Sequence, residues 1–179
     1  CWYCGCNMRL AKDYGPVASY VESLLAEIDL LGAAGPGHLA VEHLHWGGGT
    51  PTALSPEDLG RAMARVRARF GVTDDAELAI EADPRTLTQA MIERIGAMGF
   101  TRASFGVQEF DPLVQQAIHR VQPPERVQWA VEGLRTAGVS AINFDLIYGL
   151  PHQTTAKLLH TIDRCHAMAP NRIALFGYA

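Results

Sequence analysis

The chain has 179 residues, 48% of them apolar and 19% charged, a balance that builds a packed core and excludes intrinsic disorder. Its 15 basic and 19 acidic residues leave a formal charge of −4, which argues against general nucleic-acid binding. No run approaches the ~20 apolar residues of a membrane span, and no basic and apolar leader opens the chain, so a cytoplasmic chain with no membrane partner is expected.

The first six residues, Cys1-Trp2-Tyr3-Cys4-Gly5-Cys6, hold three of the four cysteines. Neighbours this close pair poorly as disulfides. Three readings stay open on spacing alone. Half a zinc site would need further ligands, and His43 and His45 offer only an i, i+2 pair on one strand face. Free or structural thiols are the plain reading. An iron–sulfur cluster suits closely spaced thiolates on a loop, with Gly5 allowing close approach and Trp2 and Tyr3 as shields. Cys165 falls in a helical pattern and reads as a small buried hydrophobe.

Residues 17–31 carry apolar side chains at helical spacing, stopped by Gly32 and by Gly35-Pro36-Gly37. Residues 39–46 read as a strand running into Gly47-Gly48-Gly49-Thr50-Pro51. Ser55-Pro56-Glu57-Asp58 is an N-cap signature for a helix to about Phe70, with Gly71 as its cap. A strand over 77–82, a helix over 88–98 and a strand over 101–107 follow. Helices over 111–119 and 125–137, a strand over 140–148, a helix over 154–168 and a strand over 172–178 complete the pattern. Strands that alternate with helices in this way predict a parallel sheet, either a barrel or an open doubly wound sheet. Five strands in 179 residues fall short of a complete barrel.

In both architectures the site lies at the carboxyl ends of the strands. Glu81, Gln108 and Asp145 fall there, at positions that read as equivalent on successive strands. Plain readings stand beside this one: Glu81 and Asp83 as helix caps, Gln108 satisfying backbone, Arg120 as a solvated surface charge. Asp145 is harder to dismiss, because a carboxylate inside the apolar run Ile142, Phe144, Leu146, Ile147 is costly unless partnered. The three glycines lack the Gly-Lys-Ser/Thr of a P-loop. They allow positive φ and close backbone approach to a ligand.

The ordered set Cys1-Trp2-Tyr3-Cys4-Gly5-Cys6-Asn7, His45-Trp46-Gly47-Gly48-Gly49-Thr50-Pro51-Thr52, Gly106-Val107-Gln108 and Asp145-Leu146-Ile147-Tyr148-Gly149-Leu150-Pro151 resembles the oxygen-independent coproporphyrinogen III oxidase family of the radical S-adenosylmethionine (SAM) enzymes. The resemblance implies an α/β fold, a partial (β/α)6 barrel with residues 1–179 as one radical SAM core domain. It implies a [4Fe–4S] cluster on Cys1 and Cys4, with Cys6 matching a cysteine not usually counted as a ligand. Its SAM contacts map to Tyr3, Gly48, Gly49, Thr50, Glu81, Gln108, Arg120, Asp145 and Ala179, enough for two SAM molecules. The implied activity is oxidative decarboxylation of coproporphyrinogen III propionates to vinyl groups, giving protoporphyrinogen IX in haem synthesis. A one-electron donor is the implied partner, and a monomer is expected. The family's first cluster cysteine would lie four residues before Cys1. The expectation is therefore a fragment, truncated at both ends, that lacks the first strand and the C-terminal part and is inactive alone. The alternative is a related haem chaperone, which shares the glycine loop but normally lacks the Gly5-Cys6-Asn7 pattern; a zinc-binding β/α domain is a more distant rival.

Overall fold

Helix signals and strand signals alternate along this chain, and each element forms where its caps permit. In the computed structural model, which describes residues 1–5, 11–35 and 40–178, the order is α1 (Gly15–Ala34), β1 (Ala40–Trp46), a 3-10 turn (Pro51–Ala53), α2 (Pro56–Arg69), β2 (Gly71–Ala82), α3 (Gln89–Ala97), β3 (Arg102–Gln108), α4 (Pro112–Ala117), α5 (Pro124–Thr136), β4 (Ala141–Tyr148), α6 (Thr155–Ala167) and β5 (Arg172–Gly177). Ser55 caps α2, its hydroxyl accepting from Asp58 N at 3.0 Å. Thr88, Asp111 and Thr154 cap α3, α4 and α6 in the same manner. Among the described residues, no helix is long and apolar enough to cross a membrane.

The five strands form one parallel sheet in the order β1-β2-β3-β4-β5. Spatial order follows sequence order without reversal, so there is no switch point of the doubly wound kind. The sheet is a half-barrel with helices on its outer side. Leu78, Ile80, Ala103, Phe105, Ile142, Phe144 and Leu146 are buried there in one core with Leu59, Met63, Ile92, Ile95 and Leu134 from the helices. Alternate residues take the concave side.

Two elements depart from the sequence expectation, and one expected boundary lies outside the described residues. Gly71 opens β2 rather than closing α2: Gly71 and Val72 pair with Ala40 and Val41 before the ladder shifts and resumes at His43 and Glu77. The polar run Thr73-Asp74-Asp75 interrupts the alternation that would have marked this early part of the strand. Helix α4 stops at Ala117, because His119 takes a φ of +55°. The 36–39 stretch, including the expected start of the first strand at Leu39, lies outside the described residues.

Helices α3 and α5 meet at Gly96, where an added Cβ would lie 2.4 Å from the Ala137 carbonyl oxygen. Gly96→Ala should lower stability by about 1–3 kcal/mol through this overpacking, read as a reduced urea midpoint. Gly60→Ala in α2 is the control, since its Cβ would meet Arg94 at an ordinary 3.6 Å. That change should be neutral or stabilising by up to about 1 kcal/mol.

Candidate functional site at the strand carboxyl ends

The glycine loop leaves β1 and turns back under the mouth of the half-barrel. Gly48 holds a φ of +102°, which penalises any side chain. A Cβ at Gly48 or Gly49 would meet nothing within 4 Å, so open space adjoins this backbone. The loop is tied to the next strand end, because Thr52 Oγ1 accepts from Asp83 N at 3.4 Å. A cavity of about 630 Å³ lies between α1, β1 and this loop. Its lining is chiefly apolar, including Tyr20, Leu24, Leu44, Trp46 and Leu54, and it holds none of Glu81, Gln108 or Asp145.

The polar residues gather on the concave side. In register, Glu81 stands beside Ser104, Ser104 beside Asn143, and Asn143 beside Arg172. Asp145 pairs with Gly106, one inward-facing position nearer the mouth, and Gln108 lies beyond the register shift at Gly106/Gln108. Glu81, Asp145 and Gln108 therefore share a face but stand at three depths, not at one level as their sequence positions suggest. Regular register sets Glu81 level with Asn143 and so two residues short of Asp145, and the bulge at the end of β3 displaces Gln108, which takes a φ of +68° and folds its side-chain nitrogen back to 2.5 Å from where a Cβ of Gly106 would sit.

Glu81 is met by the His45 ring, Nε2 to Oε1 at 3.3 Å. Asp145 makes no hydrogen bond or ion pair with any described residue. Burial pushes its carboxyl above the ordinary 3.8, and the Glu81 charge pushes it the same way. The side-chain amide of buried Gln108 is also unpartnered among the described residues. A carboxylate and an amide held without partners beside an open glycine loop can receive a polar, cationic or hydroxyl-bearing ligand.

On the facing side sits the cysteine turn. Trp2 N donates to Ile118 O at 3.0 Å, and the Trp2 ring stacks on His119 with centroids 5.1 Å apart. Tyr3 packs on a small apolar group of Val114, Ile118, Ile147 and Leu150. Arg120 lies beneath the turn at 7% exposure, so it is no solvated surface charge. Its Nε and Nη2 donate to Gly106 O, while Nη1 lies 3.5 Å from Cys1 Sγ and 3.6 Å from Asp83 Oδ2. Arg85 also grips Asp83, with Nη2 to Oδ2 at 2.6 Å. Burial drives the Asp83 carboxyl up, but the Arg85 hydrogen bonds and the Arg120 charge together hold it below its ordinary value. Burial lowers the Arg120 guanidinium, and the Tyr3 and Asp83 groups oppose that. Burial raises the Tyr3 hydroxyl, with Arg120 opposing. Neither Glu81 nor Asp83 caps α3; Thr88 does.

Cys1 and Cys4 are half-buried on one turn, with a guanidinium donor at one sulfur. Two adjacent thiols and a cationic donor suit part of the ligand set of an anionic iron–sulfur cluster. Among the described residues, no three His, Cys, Asp or Glu side chains converge to hold a metal ion. Cys6 and Ala179, also expected at the site, lie outside the described residues. Sequence reasoning did not find Arg85 or Glu109. Arg85 carries a legible signal, an arginine two residues after an acid in a turn, whereas Glu109 is buried by contacts from α6 that only the fold supplies.

The radical SAM superfamily matches residues 1–165 of the chain. An oxygen-independent coproporphyrinogen III oxidase of Bradyrhizobium diazoefficiens is 49% identical over 179 residues, 100% of this chain and 40% of its own. The solved coproporphyrinogen III oxidase of Escherichia coli matches with a TM-score of 0.94 at 37% identity, covering 100% of this chain and 41% of that one. A solved radical S-adenosylmethionine methyltransferase from Kitasatospora setae, with cobalamin and a [4Fe–4S] cluster bound, shares the fold over 87% of this chain and 30% of its own, at TM-score 0.66 and 16% identity. The chain thus spans about 40% of the length of the curated relatives it matches.

The Asp145 carboxyl provides a test of the unpartnered site. Its folded pKa lies above the unfolded 3.8, so across that window the native state holds the proton more often. Its contribution therefore turns unfavourable as pH rises through the window. Asp145→Asn should raise the thermal midpoint at neutral pH, and the gain should shrink as the pH falls to below 3.8, where both states become protonated. An equal gain at all pH values would show that the charge is not the cause.

Proposed function

We infer that this chain, which belongs to the radical SAM superfamily, is the cofactor-holding core of an oxygen-independent coproporphyrinogen III oxidase. The observation that carries the reading is agreement along the whole chain, 49% and 37% identity with two such oxidases and a TM-score of 0.94 with the second. The unpartnered groups on the concave face support it, because a ligand of mixed charge would complete them.

Cys1 and Cys4 would hold the cluster, and the glycine loop, Glu81, Gln108, Asp145 and Arg120 would hold SAM, in two copies. Bound there, the two cofactors supply one-electron reductive cleavage and hydrogen-atom abstraction. Each propionate would lose one hydrogen atom to the cofactor, one electron to a separate one-electron acceptor, and CO₂, and a vinyl group would remain. Two rounds convert coproporphyrinogen III to protoporphyrinogen IX. A separate one-electron donor must serve each cleavage.

The chain's own residues bind, orient and shield. Gly48 and Gly49 let backbone approach the ligand, and Thr50 follows them at the head of the 3-10 turn. Glu81 offers a carboxylate to a cationic amino group, and His45 holds one of its oxygens, leaving the other. Asp145 accepts from a hydroxyl or faces a sulfonium. Arg120 has its Nε and Nη2 on Gly106 O and its Nη1 beside Cys1 Sγ and Asp83 Oδ2, so it would meet a carboxylate by giving up one of these contacts. Tyr3, packed on Ile118 and Ile147, would cover one side of the cysteine turn, whereas Trp2 is 75% exposed.

The test uses the full-length protein carrying this chain, with the cluster reconstituted, under strictly anaerobic conditions. Dithionite, SAM and coproporphyrinogen III should give 5′-deoxyadenosine and protoporphyrinogen IX together, and Cys4→Ala should abolish both. Glu81→Gln should raise the KM for SAM by about ten- to a hundredfold, the loss of one charge-assisted hydrogen bond. Deoxyadenosine without porphyrin product would overturn the substrate. Stoichiometric haem binding with neither product would overturn the enzyme reading in favour of the chaperone.

A further inference from the structure

Glu109 is fully buried, yet among the described residues no cation forms an ion pair with it. Such a charge is expensive unless richly hydrogen-bonded. Every group it meets is a donor. Phe110 N lies at 2.8 Å, Asp111 N at 3.1 Å and Gln153 Nε2 at 2.7 Å, and the Thr161 hydroxyl makes a further short contact. A carboxylate only accepts, whereas an amide in its place would turn an NH₂ towards one of these donors. The charge is felt nearby, since burial and then Glu109 push the Cys165 thiol up to about 12.

Gln153 carries the contact onward. Its Nε2 also donates to Ile147 O at 2.9 Å, and its Oε1 accepts from Gly149 N at 2.7 Å and Leu150 N at 3.2 Å. Glu109 itself follows Gln108, with its φ of +68° and the register shift beside it. One carboxylate therefore fixes the ends of β3 and β4 against each other. Ile147 and Leu150 then pack with Ile118 under Tyr3, and Ile118 O holds Trp2 N. These contacts are contiguous from Glu109 to the turn that bears Cys1 and Cys4.

We propose that Glu109 is a positioning residue, which through Gln153 sets the loop after β4 and with it the seat of the cysteine turn relative to Gln108. It touches no ligand position itself. The assignment of cluster and SAM to that seat rests on the function proposed above; the mechanical link does not.

Two variants of the full-length protein separate the two. Glu109→Gln sets an NH₂ against the Gln153 NH₂, which also donates to Ile147 O. Gln153→Ala cuts the link while Glu109 keeps its other donors, and serves if Glu109→Gln does not fold. In cofactor-free protein, Glu109→Gln and Gln153→Ala should each speed hydrogen exchange in residues 147–153 and also in residues 1–5, by about tenfold. In reconstituted protein the same single variants should weaken SAM binding by about tenfold and alter the SAM-induced change in the reduced cluster's EPR spectrum. Faster exchange confined to 147–153, with SAM affinity and spectrum unchanged, would overturn the proposal. A wild-type protein that binds no SAM would instead sink the proposed function, while the exchange measurement would still decide the link.

Discussion

Successive residues of a strand point to opposite sides of a sheet, and that alternation governs everything else in this molecule. On the outer side, Ile80, Ala103, Phe105, Phe144 and Leu146 meet the helices and exclude water. The residues between them are thereby forced inward. Glu77, Glu81, Ser104, Asn143 and Asp145 have no apolar surface to join, so they line a concavity that only a polar ligand suits. A slip of one residue in any ladder would bury these groups against the helices. The bulge at the end of β3 is the controlled exception, and it brings Gln108 to the mouth.

The charges divide between two halves of the mouth. On the cysteine side they are mutually satisfied: Asp83 is gripped by Arg85 and approached by Arg120, and Arg120 also holds the Gly106 carbonyl. Breaking a buried pair like this is strongly destabilising. On the glycine-loop side, Asp145 lies close enough to Glu81 for repulsion, and Glu81 has only the His45 ring. That half is less stable than it would be if apolar. Sites that bind ligands commonly hold such groups in place through the rest of the fold.

Much of this was legible in the sequence, and the illegible part has identifiable causes. Capping residues such as Ser55 and Thr88 and the strand alternation located the elements, and the buried cost of Asp145 marked it as a candidate. The level of each polar residue was not legible, because register depends on pairing: Glu81 aligns through Ser104 with Asn143 rather than Asp145, and the shift at Gly106/Gln108 displaces the end of β3. Arg120 by its residue pattern alone reads as a surface charge after a short helix, and its contacts with Gly106 O, Asp83 and Cys1 come only from the fold. Glu109 looks like any acid at a strand end. Its burial is created by Gln153 and Thr161, more than forty residues away in sequence.

The central claim is that the concave mouth, and not the apolar cavity beside α1, holds SAM. An anaerobic crystal structure of the full-length protein with its cluster and SAM tests it most directly. The account predicts SAM density against Gly48 and Gly49, with Glu81 and Asp145 in hydrogen-bond reach of its polar groups. SAM seated in the cavity lined by Tyr20, Leu24 and Trp46, with Asp145 still unpartnered, would contradict it.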